Sequence, residues 1–204
     1  MKDFNFKNKN ILVTGSSSGI GFFIAKDFID CGGNVILNGR NNSKLIKAKK
    51  LLGASEYVKS DLSKYDKRKY LIKEIKKRKL NIDILVCNVG MSSPPKYGLK
   101  SNTSWINSLE ANFLSASHLV SLMSDKVLNK GSSVICISSI CSIRSLGCPI
   151  TYACAKSALN TFVEQEAIRL AKKNIRINTV IPGNILFDGS VWQKKIKLNK
   201  ISIR

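Results

Sequence analysis

The sequence predicts an α/β fold in which helices cover both faces of a parallel, doubly wound sheet. Short apolar runs of strand length alternate along the chain with longer stretches of helical periodicity. The first strand, helix and strand are complete by Asn38, and such a unit favours parallel strands joined by a helical crossover. With 204 residues, 44% of them hydrophobic, the chain suits one domain over residues 1–204.

A glycine-rich turn follows the first predicted strand, Asn10–Thr14. Its glycines allow a ligand to approach the backbone, and the free N–H groups at the start of the next helix attract phosphate. We therefore expect a phosphate-bearing cofactor to bind at this turn. The candidate residues are Thr14, Gly15, Ser17, Ser18, Gly19, Ile20 and Gly21.

The same turn, Gly15-Ser-Ser-Ser-Gly19, also matches the nucleophile elbow of a hydrolase, with Ser17 as the nucleophile. That elbow comes late in its own fold and needs a histidine downstream of an acid. The only histidine, His118, lies within a helical pattern, and nothing in the sequence pairs it with Ser17. The phosphate-binding interpretation is therefore favoured.

The second predicted strand, Asn34–Asn38, is followed by Gly39 and Arg40. An acidic residue after this strand would bind the ribose hydroxyls of NAD, whereas the planar guanidinium of Arg40 suits a phosphate. We expect Arg40 to hold the 2′-phosphate of NADP, so NADP is favoured and NAD is the second candidate. The other interpretation of Arg40 is a surface arginine at the entry of a helix.

The next two predicted strands also end in candidate binding residues. After the third strand, Glu56–Ser60, Asp61 either accepts a hydrogen bond from an adenine amine or caps the following helix, and Leu62 follows it. The fourth strand, Ile82–Cys87, ends in Asn88-Val89-Gly90, where the glycine again suits close approach to a ligand.

A long helical pattern is predicted from Ser101 to Asn129, and Asn112 is a polar residue within its apolar periodicity. A buried amide needs hydrogen-bond partners. Asn112 therefore either bonds a neighbouring strand or serves a binding site, and the two roles are compatible.

The stretch from Ser139 to Lys156 shows the clearest chemical pattern. An apolar run, Val134–Ile137, leads to Ser139 at the carboxyl end of a predicted strand, and a helix begins near Thr151. On that helix Tyr152 and Lys156 lie one turn apart on one face. An ammonium beside a phenol favours the phenolate, so Lys156 is expected to lower the pKa of Tyr152 and to make it a general acid/base.

Composition restricts which partners, metal sites and cellular locations are expected for this protein. The net charge is +21, but the lysines are spread over helix faces without an aromatic platform or a DNA-reading motif, so no specific nucleic-acid partner is expected. The six cysteines lack Cys-x-x-Cys spacing, which favours no metal site and a reducing compartment. No signal-peptide core or run of transmembrane length is present, so the sequence predicts a cytoplasmic protein without membrane contact.

Taken in order, these features resemble the short-chain dehydrogenase/reductase family from Asn10 to about Trp192. Thr14-Gly15-x-x-x-Gly19-x-Gly21 is similar to its cofactor signature, and Asn88-Val89-Gly90 to its Asn-Ala-Gly element. After a sixth strand at Asn174–Ile181, Pro182-Gly183 is similar to the turn that contacts the nicotinamide. The residues similar to the catalytic tetrad of the family are Asn112, Ser139, Tyr152 and Lys156.

The resemblance implies a Rossmann-type sheet of six strands in the order 3-2-1-4-5-6, with a seventh strand missing. It also implies an NAD(P)(H)-dependent oxidoreductase that interconverts a small-molecule carbonyl and a secondary alcohol, as 3-oxoacyl-type reductases do. Tyr152 would be the general acid/base and Lys156 would bond the nicotinamide ribose. Ser139 would orient the carbonyl, and Asn112 would hold a relay water. The further cofactor contacts implied are Arg40, Asp61, Leu62, Asn88, Gly90, Tyr152, Lys156, Pro182, Gly183 and Ile185.

The chain departs from the family pattern towards its end. Phe187 stands where a threonine commonly contacts the nicotinamide carboxamide, and with Trp192 it suggests an apolar wall in a substrate loop. Residues 184–204 are expected to form this loop and a basic tail. Family members usually continue into a lid segment and a seventh strand, so a natural short form and a truncated product both remain open. The alternative function is a catalytically impaired or inactive cofactor-binding protein. A homo-oligomer is implied by the helices of Asn112 and Tyr152, on which the family usually pairs its subunits.

Overall fold

Six parallel strands form the centre of the protein. The computed structural model describes residues 4–54, 56–91 and 99–187, together with residues 190, 193, 196 and 198. The strands pair in the order β3-β2-β1-β4-β5-β6, which confirms the predicted sheet. Their bounds are β1 (Asn10–Val13), β2 (Asn34–Gly39), β3 (Glu56–Lys59), β4 (Ile82–Cys87), β5 (Leu128–Ile137) and β6 (Arg176–Val180).

Helices connect successive strands. Their bounds are α1 (Gly19–Asp30), α2 (Asn42–Leu52), α3 (Tyr65–Lys77), α4 (Asn102–Leu109), α5 (Ser115–Ser124) and α6 (Ile150–Ala171). A π turn, Glu110–Leu114, joins α4 to α5, and a 3₁₀ turn, Ile140–Ser142, follows β5. No helix in the part of the chain that the structure describes is long and apolar enough to cross a membrane.

Two hydrophobic cores lie on opposite faces of the sheet. Successive side chains of a strand point to opposite faces, so Leu12 of β1 enters one core while Ile11 and Val13 enter the other. The core around Leu12 takes in buried residues of α3, α5 and α6, and the second core takes in those of α1 and α2. Both faces are therefore covered, as predicted for a doubly wound sheet.

The single helix predicted from Ser101 to Asn129 is wrong. The π turn interrupts it, α5 ends at Ser124, and β5 begins at Leu128. Leu128 pairs with Ile82 of β4, so hydrogen bonding to a neighbouring strand sets the start of β5. Residues 128–133 are mostly polar or glycine, and their sequence carries no strand periodicity that could reveal this pairing.

The parallel arrangement brings four connections to one edge of the sheet. They are residues 14–18 after β1, 88–91 after β4, 138–149 after β5 and 181–187 after β6. The carboxyl edge of such a sheet is where ligands bind in open α/β folds. Most candidate residues of the sequence lie on these four connections or on the helices next to them, while Arg40, Asp61 and Leu62 follow β2 and β3.

Candidate active site

The glycine turn is shaped by close packing of its own backbone. Gly19 has φ of +62°, in the left-handed region that favours glycine. A Cβ on Gly21 would lie 2.6 Å from the carbonyl oxygen of Gly15, so a side chain at this position would force the turn apart. The turn therefore keeps α1 close to β1.

Asn88 ties this turn to the end of β4. Its backbone N–H donates to Thr14 Oγ1 at 2.9 Å, and its Nδ2 donates to the Thr14 carbonyl at 3.0 Å. Thr14 Oγ1 donates in turn to the Val86 carbonyl at 3.1 Å. Both residues therefore shape the cofactor turn through hydrogen bonds within the protein.

A cavity of about 1010 Å³ opens in front of the turn. Ser17, Ser18, Gly19 and Ile20 line it, as the sequence predicts for phosphate-binding residues. Ser18 is the N-cap of α1, but its side chain makes no capping hydrogen bond. The first backbone N–H groups of α1 therefore remain suited to an anion.

The connection after β6 supplies the facing wall of this cavity. Pro182 and Ile185 line it, and the Pro182 carbonyl accepts from the Ile140 N–H at 2.9 Å. Gly183 is exposed. The Phe187 ring packs on the glycine turn, because a Cβ on Gly19 would lie 3.0 Å from Phe187 Cζ. The ring therefore covers part of the glycine turn.

Trp192 and much of the predicted loop and tail fall outside the described residues. The predicted apolar wall of Phe187 and Trp192 therefore stays a prediction.

Asn112 lies in the π turn with its side chain fully buried. Its Oδ1 accepts from the Met91 N–H at 2.7 Å, and its Nδ2 donates to the carbonyls of Met91 and Ser108, each at 3.0 Å. Both donors and the acceptor of this amide are used to hold the segment after β4. Of the two interpretations of Asn112, the structure shows the bond to a neighbouring segment.

Ser139 and Tyr152 meet across the connection after β5. Ser139 is nearly buried, and its hydroxyl accepts from the Cys141 N–H at 3.2 Å. Tyr152, in the first turn of α6, is half-buried. Burial raises the pKa of the Tyr152 phenol, and the nearby Ser139 side chain partly opposes this rise.

Lys156 lies one turn further along α6 and is almost fully buried. Its ammonium donates to the Ile137 carbonyl at 2.8 Å, and burial lowers its pKa to about 8. The expected lowering of the pKa of Tyr152 by Lys156 is therefore wrong for this structure. The ammonium is turned to the end of β5, and burial dominates the pKa of the phenol.

Gly90 brings the two buried polar residues together. A Cβ at this position would lie 3.1 Å from Asn112 Oδ1 and 3.3 Å from Lys156 Nζ. The glycine therefore lets the segment after β4 pass between α6 and the π turn. Ser139, Tyr152, Lys156 and Asn112 are thus held at one edge of the sheet by β5, α6 and the π turn.

The residues after β3 are used within the protein. Asp61 Oδ1 accepts from the N–H and the hydroxyl of Ser63 at 3.1 and 2.8 Å, while the N-cap of α3 is Lys64. The helix-cap interpretation of Asp61 is therefore wrong, because its carboxylate closes the turn that precedes the cap. Leu62 is buried, and its carbonyl accepts from Arg68 Nε at 2.7 Å.

Arg40 directly follows β2, and its side chain is exposed. Two further cations, both lysines of α2, were not predicted as binding residues, because the lysines of this helix were interpreted as a solvated face. Lys44 and Lys47 line the same cavity as Ser17 and Ser18. Their positions in the first two turns of the helix after Arg40 were the available signal.

His118, the histidine that the hydrolase alternative would need, is held by other residues. His118 Nδ1 lies 2.9 Å from a guanidinium nitrogen of Arg68, and its ring packs edge-on against Tyr65. Within the described ranges, no three His, Cys, Asp or Glu side chains form a group that could hold a metal ion.

Comparison with known proteins gives one consistent result. Residues 9–196 match the family described as short chain dehydrogenase. The chain is 31% identical over 191 residues to the uncharacterized oxidoreductase YvrD of Bacillus subtilis (strain 168), covering 92% of this chain and 72% of that protein. It is 28% identical over 211 residues to the 3-oxoacyl-[acyl-carrier-protein] reductase FabG of Chlamydia trachomatis, covering 96% and 85% of the two chains.

A solved structure agrees with these relatives. The fold is similar to that of L-sorbose reductase from Gluconobacter frateurii, crystallised with NADPH and L-sorbose. The TM-score is 0.87 at 28% sequence identity, and the match covers 97% of this chain and 77% of the other. The region matched by the family includes every strand of the sheet.

Proposed function

The chain belongs to the short-chain dehydrogenase/reductase family of NAD(P)-dependent oxidoreductases, and we propose that it interconverts a carbonyl and a secondary alcohol at Tyr152. The observation that carries this proposal is that the Ser139 side chain lies close enough to Tyr152 to lower the pKa of its phenol. It places two hydroxyls side by side at the edge where the glycine turn opens. Lys156, on the same face of α6, lies against Gly90.

The glycine turn and the uncapped start of α1 would hold the phosphates of a nicotinamide dinucleotide, which would supply or accept the hydride. In the reduction, the Tyr152 phenol donates its proton to the carbonyl oxygen, and in the oxidation its phenolate takes the proton of the alcohol. The Ser139 hydroxyl bonds the same oxygen and orients it. Because burial raises the pKa of Tyr152, the phenol is protonated at neutral pH and ready to donate.

Lys156 and Asn112 support this proton transfer in different ways. Lys156 is the residue proposed to bond the nicotinamide ribose, and its side chain shares one face of α6 with Tyr152. Met91 and Ser108 use both donors of the Asn112 amide, and the Met91 N–H uses one of the two acceptor positions of Oδ1. The proposed relay water would bond the remaining acceptor position of Oδ1.

We also propose a preference for NADP over NAD. Lys44 and Lys47 line the cavity together with Ser17 and Ser18, and the exposed Arg40 follows Gly39, whose backbone lies beside Ser17. A 2′-phosphate is the part of NADP that would use them, since guanidinium and ammonium groups bind phosphate through charge-assisted hydrogen bonds. The NADPH complex of L-sorbose reductase supports this preference.

Further proposals concern the whole chain. We propose one dinucleotide-binding domain over residues 1–204, a small-molecule carbonyl or alcohol as substrate, a cytoplasmic location and a homo-oligomer. The alternative of an inactive cofactor-binding protein is not favoured. The relatives are named as oxidoreductases, and each residue similar to the catalytic tetrad lies at the carboxyl edge of the sheet.

The test of the proposed reaction is Tyr152→Phe, assayed with NADPH and a panel of ketones. We expect turnover to fall by at least about a hundredfold, because the proton donor is lost. NADPH binding, measured by fluorescence titration, should stay within about twofold of the parent protein because the ring remains. Tyr70→Phe is the matched control, since Tyr70 is partly exposed on α3, and it should turn over normally. Full turnover by Tyr152→Phe would contradict the assignment.

A further inference from the structure

Two thiols stand at the ends of the connection between Ser139 and Tyr152. Cys141 follows Ser139 by two residues, and Cys148 precedes Tyr152 by four. The two side chains are close enough for Cys141 to raise the pKa of the Cys148 thiol, and both are partly exposed. Both also act electrostatically on the Tyr152 phenol, so the thiol pair lies beside the proposed proton donor.

The Cys141 end of this connection is fixed to α6. Ser142 Oγ donates to the Ser139 carbonyl at 2.6 Å, and Ser157 Oγ donates to the Ser142 carbonyl at 2.7 Å. Asn160 Nδ2 donates to Ser142 Oγ at 2.8 Å. A movement of Cys141 therefore acts directly on the backbone of Ser139.

The Cys148 end is coupled to Tyr152. Cys148 precedes Pro149, whose carbonyl accepts from the Tyr152 N–H at 3.0 Å. Between the two cysteines, residues 143–147 are exposed, and Gly147 has φ of +69°. This exposed stretch can adjust its backbone when the two thiols approach each other.

We propose that Cys141 and Cys148 form a reversible disulfide that stops turnover at Tyr152. The oxidant is a peroxide or a small disulfide such as oxidised glutathione. With hydrogen peroxide, the Cys141 sulfur takes one oxygen to become a sulfenic acid and water leaves. The Cys148 sulfur then attacks the Cys141 sulfur, the S–S bond forms and a second water leaves. The two thiols lose two electrons and two protons in total, and a dithiol such as dithiothreitol returns them.

The chemistry of Cys148 makes it the second thiol to react. Burial, followed by its contact with Cys141, raises the pKa of Cys148 to about 11, so it is protonated at neutral pH. Since the thiolate is the attacking form, bridge formation should become faster as the pH rises towards that value.

A bridge would disturb the site because a covalent S–S bond holds the two sulfurs closer together than a contact between two thiols does. The shift is transmitted to Ser139 through Ser142 and to Tyr152 through Pro149. A displacement of about 1 Å in reacting groups costs roughly a hundredfold in rate. These contacts join the connection after β5 to α6 and do not involve the glycine turn, so NADPH affinity should change little.

The structure offers a contrast to this pair. Cys87 and Cys136 are partners on β4 and β5, and Cys136 likewise raises the pKa of the Cys87 thiol. Both are buried under the sheet connections, where an aqueous oxidant has no access. Oxidation is therefore expected at the Cys141–Cys148 pair first.

The test is oxidation of the full chain with hydrogen peroxide or oxidised glutathione, followed by tryptic peptide mapping without reduction. Trypsin cleaves after Arg144, between the two cysteines, so peptides 131–144 and 145–156 stay joined only through a disulfide. The Cys154→Ser background removes the other thiol of the second peptide, and because the first peptide also carries the buried Cys136, loss of the joined peptides in Cys141→Ser assigns the bridge to Cys141. We expect the joined peptides to appear as the turnover of a ketone falls by tenfold or more, and dithiothreitol to reverse both changes.

Cys141→Ser and Cys148→Ser, each made separately, should keep turnover after the same treatment, whereas Cys154→Ser should lose it as the parent does. Absence of the joined peptides under an oxidant dose that consumes Cys154 would overturn the proposal. Joined peptides with undiminished turnover would overturn its effect on the site.

The loss of turnover rests on the proposed function, but the joined peptides are detected by mass alone. A chain that bridges yet reduces no ketone before oxidation would therefore count against the proposed function and not against the disulfide.

Discussion

Lys156 is buried, and burial disfavours the charged form of its side chain. Only 3% of the residue is exposed, one carbonyl accepts from its ammonium, and its pKa is lowered to about 8 from an ordinary 10.5. The folded protein therefore releases this proton more readily than the unfolded chain does. Active-site residues often carry such a cost in stability in return for function.

Replacing Lys156 with Met should stabilise the protein at neutral pH. The unfolded chain binds more protons than the folded one between pH 8 and 10.5, so the penalty is full below pH 8 and gone above pH 10.5. The pKa difference corresponds to about 3 kcal/mol, reduced to about 2 kcal/mol by the lost hydrogen bond to Ile137. Urea unfolding of Lys156→Met and the parent should differ by this amount at neutral pH, and the gain should vanish as the pH rises to 10.5, where the lost hydrogen bond leaves the variant slightly less stable.

Lys50→Met is the control for this measurement, because Lys50 is exposed on α2. It should leave the free energy of unfolding nearly unchanged at both pH values. A Lys156→Met protein that is no more stable than the parent at neutral pH would show that the ammonium is better solvated than its burial implies.

Arg40 decides cofactor preference in the proposed function. Arg40→Asp should lower kcat/KM with NADPH by roughly 10- to 100-fold, because a charge-assisted hydrogen bond is worth about 1.5–3 kcal/mol. The same change should improve the use of NADH, since a carboxylate can bond the ribose hydroxyls. Steady-state rates with both cofactors and one ketone measure the ratio. Arg176→Asp, exposed on β6, should leave it unaltered, and an unaltered ratio in Arg40→Asp would exclude the phosphate role.

At the scale of elements, the π turn depends on a buried cation from α3. Arg68 is fully buried, its guanidinium pairs with Glu110 at the start of the turn, and it also meets His118 on α5. Its Nε donates to the Leu62 carbonyl after β3. One side chain thus joins the two helical pieces on either side of Asn112 to the end of β3.

Arg68→Met should destabilise the protein by about 3 kcal/mol, because it removes the buried partner of an ion pair and strands the bonds to Leu62 and His118. The double variant Arg68→Met/Glu110→Leu should recover part of this loss, since two apolar side chains replace the pair. Urea unfolding measures both. Arg78→Met tests the specificity, because its pairs with Glu74 and Glu56 are partly exposed and should cost under about 1 kcal/mol. Equal losses in Arg68→Met and Arg78→Met would contradict the role of burial.

The elements also show where sequence reasoning succeeds. β1 and α1 could be predicted because an apolar run, a glycine turn and a helical period follow each other locally. The start of β5 could not, because pairing with β4 determines it. The π turn could not be predicted either, since the sequence around Asn112 has the same apolar periodicity as a regular α-helix. The amide bonds of Asn112 to Met91 exist only after folding.

At the scale of the whole molecule, topology explains why candidate site residues far apart in sequence were found to be neighbours. The six strands that the structure describes are all parallel, so their carboxyl ends all lie at the same edge of the sheet. Directions of side chains at that edge do not follow from topology. Lys156 bonds Ile137 and Phe187 packs on Gly19, and neither contact has a signal in residue spacing.

The net charge of +21 is also a property of the whole molecule. We expect weak binding to duplex DNA at low salt, because any strongly basic surface attracts a polyanion. Fluorescence anisotropy should show this binding fall by about a thousandfold or more between roughly 50 and 200 mM salt, without sequence preference. DNA should leave the turnover of a ketone unchanged at the higher salt. Salt-resistant, sequence-dependent binding would instead indicate a nucleic-acid function.

The Phe187 ring packs on Gly19, in the turn proposed to bind the dinucleotide. The ring and the dinucleotide would therefore compete for the same position. Any dinucleotide that settles on the glycine turn has to displace a benzene ring, and the apparent affinity is reduced by the fraction of molecules in which the ring already lies elsewhere. The same ring can return as the spent dinucleotide leaves. The ring would thereby lower the affinity for the dinucleotide and speed its release. This favours rapid turnover where the cofactor is abundant.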